Sequence, residues 1–124
     1  LVERVEKLIE EPVWKRAYRE IRNFECGLHE EGMIFVKLWI HISPEEQLAR
    51  FKAREDTAYK RHKITEEDYR NRERWDDYVQ AVDEMVIRTS TQNAPWHLVS
   101  GNDKRNARLE VIGHVVDCLE RALD

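Results

Sequence analysis

Between Arg50 and Lys63 the stretch RFKAREDTAYKRHK sets Arg50, Lys52, Arg54, Lys60, Arg61 and Lys63 against Glu55 and Asp56. That is a local charge of +4 in a chain of 124 residues whose formal net charge is −4. A reversal of sign over so short a span is an electrostatic footprint for an anion. Arg50 and Arg54 are one helical turn apart and can face the same side, while Lys60, Arg61 and Lys63 read as a loop. Arg matches phosphate oxygens two at a time through its planar fork, and Lys serves as a point charge on a flexible stem. Such a set could close over phosphates, exclude water and neutralise the charge that develops in phosphoryl transfer. The bland alternative is a solvated face with local Glu–Arg pairs. Nucleic-acid backbone binding is a third reading, disfavoured by the acidic balance and the lack of an exposed-looking aromatic platform.

Two helix starts frame these cations. Ser43-Pro44-Glu45-Glu46 offers an N-cap, a proline at the first helical position and a glutamate to close a capping box. Thr65 caps the second, with Glu66, Glu67 and Asp68 where the helix dipole favours negative charge. The helix after Thr65 reads as long, with Tyr69, Tyr78, Val82, Met85 and Val86 as its buried stripe. Upstream, Met33 to Ile42 is nearly continuous apolar sequence broken by Lys37 and His41. That pattern fits a strand inside a parallel sheet covered on both faces. Trp96 to Ser100 reads as a second strand, then Asn102 or Asp103 as the cap of a last helix with Ile112, Val115, Val116, Leu119 and Leu123 facing inward. Before the strands, one helix carries Leu1, Val5, Leu8 and Ile9. Another, opened by Pro12 and ended by Gly32, carries Trp14, Ala17, Tyr18, Ile21, Phe24 and Leu28.

Strands joined by helical crossovers define an α/β class, here helix-rich with two parallel strands. Two strands cannot cover their own edges, and Leu1 falls in the middle of an amphipathic pattern. The expectation is an internal segment whose remaining strands lie upstream or come from another chain. No apolar run approaches the roughly 20 residues a membrane span requires, and no secretory signal opens the chain, which points to a soluble, cytoplasmic protein.

Cys26 and Cys118, without CxxC spacing, read as buried reduced thiols. The histidines show no metal-binding spacing, so no protein-built metal site is expected, and of them only His62 is placed near substrate. Lys37 within an apolar strand is costly to bury unpaired, so it lies either at the sheet edge or against a carboxylate such as Glu25. Lys104 and Arg108 follow the last strand, whose carboxyl end faces the ligand crevice in open α/β sheets; the alternative for both is a surface helix. Trp14, Trp39, Trp75 and Trp96 read as core, although Trp75 could contact a nucleobase.

In order, LVERVE, WKRAYREIRNFECGL, IFVKLWIHISPEEQLARFKARE, KRHKITEEDYRNRERWDDYVQAVDEM and TSTQNAPWHLVSGNDKRNARLEVI span essentially the whole chain. Together these stretches resemble the polyphosphate kinase 2 family. The resemblance implies one partial domain over residues 1–124, the C-terminal part of a P-loop kinase-like α/β/α sandwich, with a helical lid at about residues 50–75. It implies transfer of a terminal phosphoryl group between inorganic polyphosphate and a nucleoside mono- or diphosphate, with Mg²⁺. Arg50, Arg54, Lys60, Arg61 and Lys63 become lid cations on phosphate, Arg54 and Lys63 among them catalytic. Arg4, Lys104 and Arg108 join the phosphate-binding set. Glu3 is either a catalytic residue near the metal or phosphate loop, or one half of an exposed helical pair with Arg4.

His62 stands where many members carry Trp, and so resembles the subgroup acting on nucleoside monophosphates, the polyphosphate:AMP phosphotransferases. The family's glycine-rich phosphate loop and its Asp-Arg motif occur nowhere in these residues. Both are expected before Leu1, together with most Mg²⁺ ligands, so this chain alone is not expected to turn over. A homo-oligomer is expected, and neither nucleic acid nor membrane is an expected partner. The alternative is a degenerate, non-catalytic domain with a structural or dimerisation role.

Overall fold

Strands β1 (Lys37–His41) and β2 (Trp96–Ser100) pair in parallel, with Lys37 opposite Trp96 and His41 opposite Ser100. They form the centre of a computed structural model that describes residues 1–124. The helices are α1 (Val2–Val5), α2 (Glu11–Glu30), α3 (Pro44–Glu55), α4 (Glu66–Glu73), α5 (Trp75–Thr89) and α6 (Lys104–Leu123), with a 3₁₀ segment over Ala58–Lys63. Successive side chains of a strand point to opposite faces. On one face Lys37 reaches Glu25 of α2, and Trp96 donates its indole N–H to Thr89 Oγ1 of α5 at 2.7 Å. On the other, His97 meets Glu110 and His114 of α6. The sheet therefore lies between α2 and α5 on one side and α6 on the other, a partial α/β/α sandwich.

Lys37 has the partner its burial demands. Its Nζ donates to Glu25 Oε2 at 2.9 Å and to the Thr89 carbonyl at 2.6 Å, and lies 5.0 Å from the Trp96 ring centroid.

Several elements differ from the sequence reading. The first strand is five residues long, not the full apolar run. Its partner runs from Trp96 to Ser100 as expected, directly after Pro95, which has no N–H to extend the ladder. The first helix is a single turn, because the chain turns at Lys7, whose φ of 55° is left-handed. The long helix after Thr65 is two helices parted at Arg74, whose guanidinium donates to the Val5 carbonyl at 2.7 Å. Cys26 is exposed rather than buried, and Cys118 is half-buried; both are free.

The last helix turns to the sheet a face that shares only Val115 with the one expected. Ala107, Val111, His114, Val115 and Cys118 lie toward the sheet, whereas Ile112 and Leu123 are 62% and 83% exposed. Two apolar stripes share this helix, and the periodicity alone could not choose between them. Covering of the sheet is likewise incomplete: Ile40 is 55% exposed and Leu98 51%.

His97 and His114 stack with ring centroids 4.0 Å apart, and Glu110 Oε1 lies 3.1 Å from His97 Nε2. Burial, followed by the neighbouring His97 and Arg121, lowers the pKa of His114 from its ordinary 6.5. As pH falls below that value the unfolded chain takes up the proton before the folded one, so stability is lost on acidification and retained above it. A denaturant midpoint lower at about pH 5.5 than at about pH 7.5 is expected, with the gap narrowing in His114→Gln.

Candidate functional site

The cation-rich stretch folds as a helical hairpin, α3 and α4 joined by the 3₁₀ segment. Both caps expected of its helices are present. Ser43 Oγ accepts from the Glu46 N–H at 3.2 Å, with Pro44 in the first turn. Thr65 and Asp68 form a reciprocal capping box, the Thr65 N–H donating to Asp68 Oδ2 at 2.9 Å. Phe51 is buried and packs edge-on against Tyr69 at 5.3 Å between centroids, and the Tyr69 hydroxyl donates to Glu55. Arg72 donates to the Pro44 carbonyl at 2.6 Å, fastening α4 to the start of α3.

The box expected at Ser43 is not closed by Glu46. That carboxylate instead accepts from Arg50 Nε at 2.8 Å. The Ser43 N–H donates to Asn102 Oδ1, at 2.9 Å, across from the β2–α6 loop. Asn102 thus serves α3, while Asp103 caps α6, its Oδ1 accepting from Arg105 N at 2.9 Å and Asn106 N at 3.1 Å.

The cations divide into two groups. Arg50 is half-buried and donates through Nη2 to the carbonyls of Gly101 (2.5 Å) and Asn102 (3.2 Å), joining α3 to the end of the sheet. Arg61 Nε donates to the Glu55 carbonyl at 2.6 Å, satisfying the last turn of α3, and Lys60 Nζ sits 5.3 Å from the Tyr59 ring. Arg54 and Lys63 are exposed and make no side-chain hydrogen bond or ion pair, which leaves their N–H groups free for an anion. His62 is exposed in the same 3₁₀ segment.

Beyond Asn102, Lys104, Arg105 and Arg108 are exposed on the first turns of α6. Lys104 and Arg105 line an open polar groove together with Glu46, Arg50, Asn102 and Asp103. The sequence reading did not single out Arg105; its place beside the Asp103 cap was the signal for it.

Glu3 and Arg4 lie apart from this hairpin on α1. Arg4 donates to the Tyr18 hydroxyl at 2.8 Å, pairs with Glu84 at 2.7 Å and lies 4.0 Å over the Trp14 ring, so its guanidinium is taken up by packing among α1, α2 and α5. Glu3 is exposed and is not paired with Arg4. Trp75 is half-buried in the wall of an apolar cleft of 880 Å³ with Trp39, Tyr78, Val82 and Leu98.

No three His, Cys, Asp or Glu side chains converge on a point that could hold a metal ion. The chemistry the hairpin cations can supply is binding, orientation and charge neutralisation. No helix is long and apolar enough to cross a membrane.

The family model described as Polyphosphate kinase 2 matches residues 1–123. The chain is 55% identical over 122 residues to a polyphosphate:AMP phosphotransferase of Pseudomonas aeruginosa, covering 98% of this chain and 25% of that protein. It is 49% identical over 124 residues to a polyphosphate:AMP phosphotransferase of Acinetobacter johnsonii, covering 100% of this chain and 26% of that one. The crystal structure of polyphosphate kinase 2 from Arthrobacter aurescens superposes with a TM-score of 0.93 at 38% identity, over 97% of this chain and 42% of the other. The chain thus spans about a quarter of the length of the two phosphotransferases.

Proposed function

The chain belongs to the polyphosphate kinase 2 family, and from that premise we propose that it is the lid-bearing part of a polyphosphate-dependent nucleotide phosphotransferase. Its acceptor on this reading is AMP or ADP, the nucleotides on which its relatives are named, an AMP/ADP-polyphosphate phosphotransferase of Meiothermus ruber, 39% identical, among them. The observation that carries the proposal is the hairpin itself. In an acidic chain it presents Arg54 and Lys63 without protein partners, while Arg50 and Arg61 are spent on holding it in shape.

In the proposed reaction a phosphate oxygen of the nucleotide attacks the terminal phosphorus of the polymer. The bond to the bridging oxygen breaks, and the shortened polyphosphate leaves with the negative charge. Arg54 grips two phosphate oxygens through its fork and Lys63 neutralises charge beside it. Closure of the hairpin would exclude water from the transfer. Mg²⁺, held mainly by residues upstream of this stretch, would supply further charge neutralisation on the phosphates.

The test is an assay of the family-length protein with inorganic polyphosphate, Mg²⁺ and AMP or ADP in turn. Formation of the next higher nucleotide is expected, and none from residues 1–124 alone. Failure of the longer protein to phosphorylate either nucleotide would overturn the proposal.

A further inference from the structure

The hairpin is only as well placed as its base. Three hydrogen bonds tie the base to the β2–α6 loop: Ser43 N–H to Asn102 Oδ1 at 2.9 Å, and Arg50 Nη2 to the Gly101 and Asn102 carbonyls at 2.5 and 3.2 Å. The loop is itself seated firmly against the sheet. Gly101 is buried and its N–H donates to the His41 carbonyl at 2.6 Å. A Cβ on Gly101 would stand 2.8 Å from Ile40 Cγ2 and 3.0 Å from Ile42 Cγ2, so the loop lies against β1 at a distance that a glycine permits and a side chain would push apart.

Helix α3 has 12 residues, a length of about 18 Å at 1.5 Å per residue. A tilt of about 10° at its base would carry its far end by about 3 Å. Arg54 lies at that far end, and Lys63 hangs from it through the 3₁₀ segment that Arg61 closes onto Glu55. Misplacing a transferring group by about 1 Å can cost about 10²-fold in rate. Glu46, engaged with Arg50 at 2.8 Å, leaves the Ser43 N–H open, and Asn102 takes it.

Resting on the function proposed above, we infer that Asn102 is a positioning residue for phosphoryl transfer. Together with Arg50 it sets the angle of the α3–α4 hairpin over the sheet, and hence where Arg54 and Lys63 meet the phosphate chain. Asn102 is exposed, and an exposed hydrogen bond adds little to global stability. Its loss acts on geometry instead.

The family-length protein carrying Asn102→Ala is expected to lose about 10-fold in kcat/KM for polyphosphate, with the nucleotide KM and the unfolding midpoint nearly unchanged. Asn102→Asp keeps an acceptor oxygen for the Ser43 N–H and should recover most of that loss. Adding Asn102→Ala to the Arg54→Gln/Lys63→Gln double variant should cost little beyond that double variant, since both cations whose placement Asn102 sets are then already gone. Unchanged kinetics, equal losses for both substrates, or additive losses would overturn the inference. Activity of the parent protein tests the proposed function, and the ratio of variant to parent tests the inference.

A second readout is independent of turnover. Spin labels on Lys52→Cys and Leu109→Cys, in a background with Cys26 and Cys118 replaced by Ser, should show a broader distance distribution with Asn102→Ala and a narrow one with Asn102→Asp. Equal widths would overturn the inference even if the parent proved inactive.

Discussion

Replacing Glu25 with alanine is expected to cost the fold about 3–5 kcal/mol, a large share of what a domain of this size holds in reserve. Lys37 and Glu25 have side chains only 8% and 13% exposed, and their charged atoms meet at 2.9 Å. With the carboxylate gone, the ammonium keeps one carbonyl, that of Thr89, and the face of Trp96, neither of which carries a compensating charge. A buried charge stripped of its partner is among the most destabilising changes a core can suffer. Replacing both members, as Glu25→Leu with Lys37→Met, removes the orphan as well as the pair and should cost far less, because desolvation of two charges offsets most of their attraction. Urea midpoints at unchanged slope would measure both. A single variant costing under about 1 kcal/mol would show that water or a neighbouring acid reaches Lys37.

The second large effect falls on activity rather than stability. Arg54→Gln and Lys63→Gln should each lower kcat/KM for polyphosphate by about 10² in the family-length protein, the scale seen when one preorganised donor to a developing negative charge is removed. Unfolding midpoints should barely move, since neither side chain has a protein partner to lose. Arg54→Lys should recover only part of the loss, because an ammonium cannot reproduce the two-pronged contact of a guanidinium. Arg61→Gln is a useful contrast. It frees the Glu55 carbonyl, so its effect should come with a loosened hairpin.

Local chemistry in this chain reads directly from sequence, and distant chemistry does not. The Ser43 and Thr65 caps depend on residues three positions apart, and both form where the pattern places them. The pairing of Lys37 with an acid such as Glu25 could be read because a buried ammonium must find a carboxylate or an edge. The parallel sheet followed from two apolar strands separated by helices. What could not be read are contacts made across the fold. Arg50 reads from sequence as another phosphate cation, and nothing local shows that its Nη2 also donates to carbonyls 51 and 52 residues away. Arg4 is absorbed in the same manner by Tyr18 and Glu84. The role of Asn102 has no local signature, since its partner at Ser43 lies 59 residues back. The last helix carries two apolar stripes, and only the packing of His97 on His114 shows which one meets the sheet. Motif resemblance reached the family because it draws on the whole ordered set of segments rather than on any one contact.

The most direct measurement is a calorimetric titration of inorganic polyphosphate into the family-length protein at several salt concentrations, for the parent and for Arg54→Gln/Lys63→Gln. A polyanion held by cations releases counterions, so log affinity falls with log salt in proportion to the contacts made. The double variant should bind more weakly by at least about 10-fold, with a salt slope shallower by about two contacts. Equal affinity and equal slope in the two proteins would mean that the hairpin does not grip the phosphate chain.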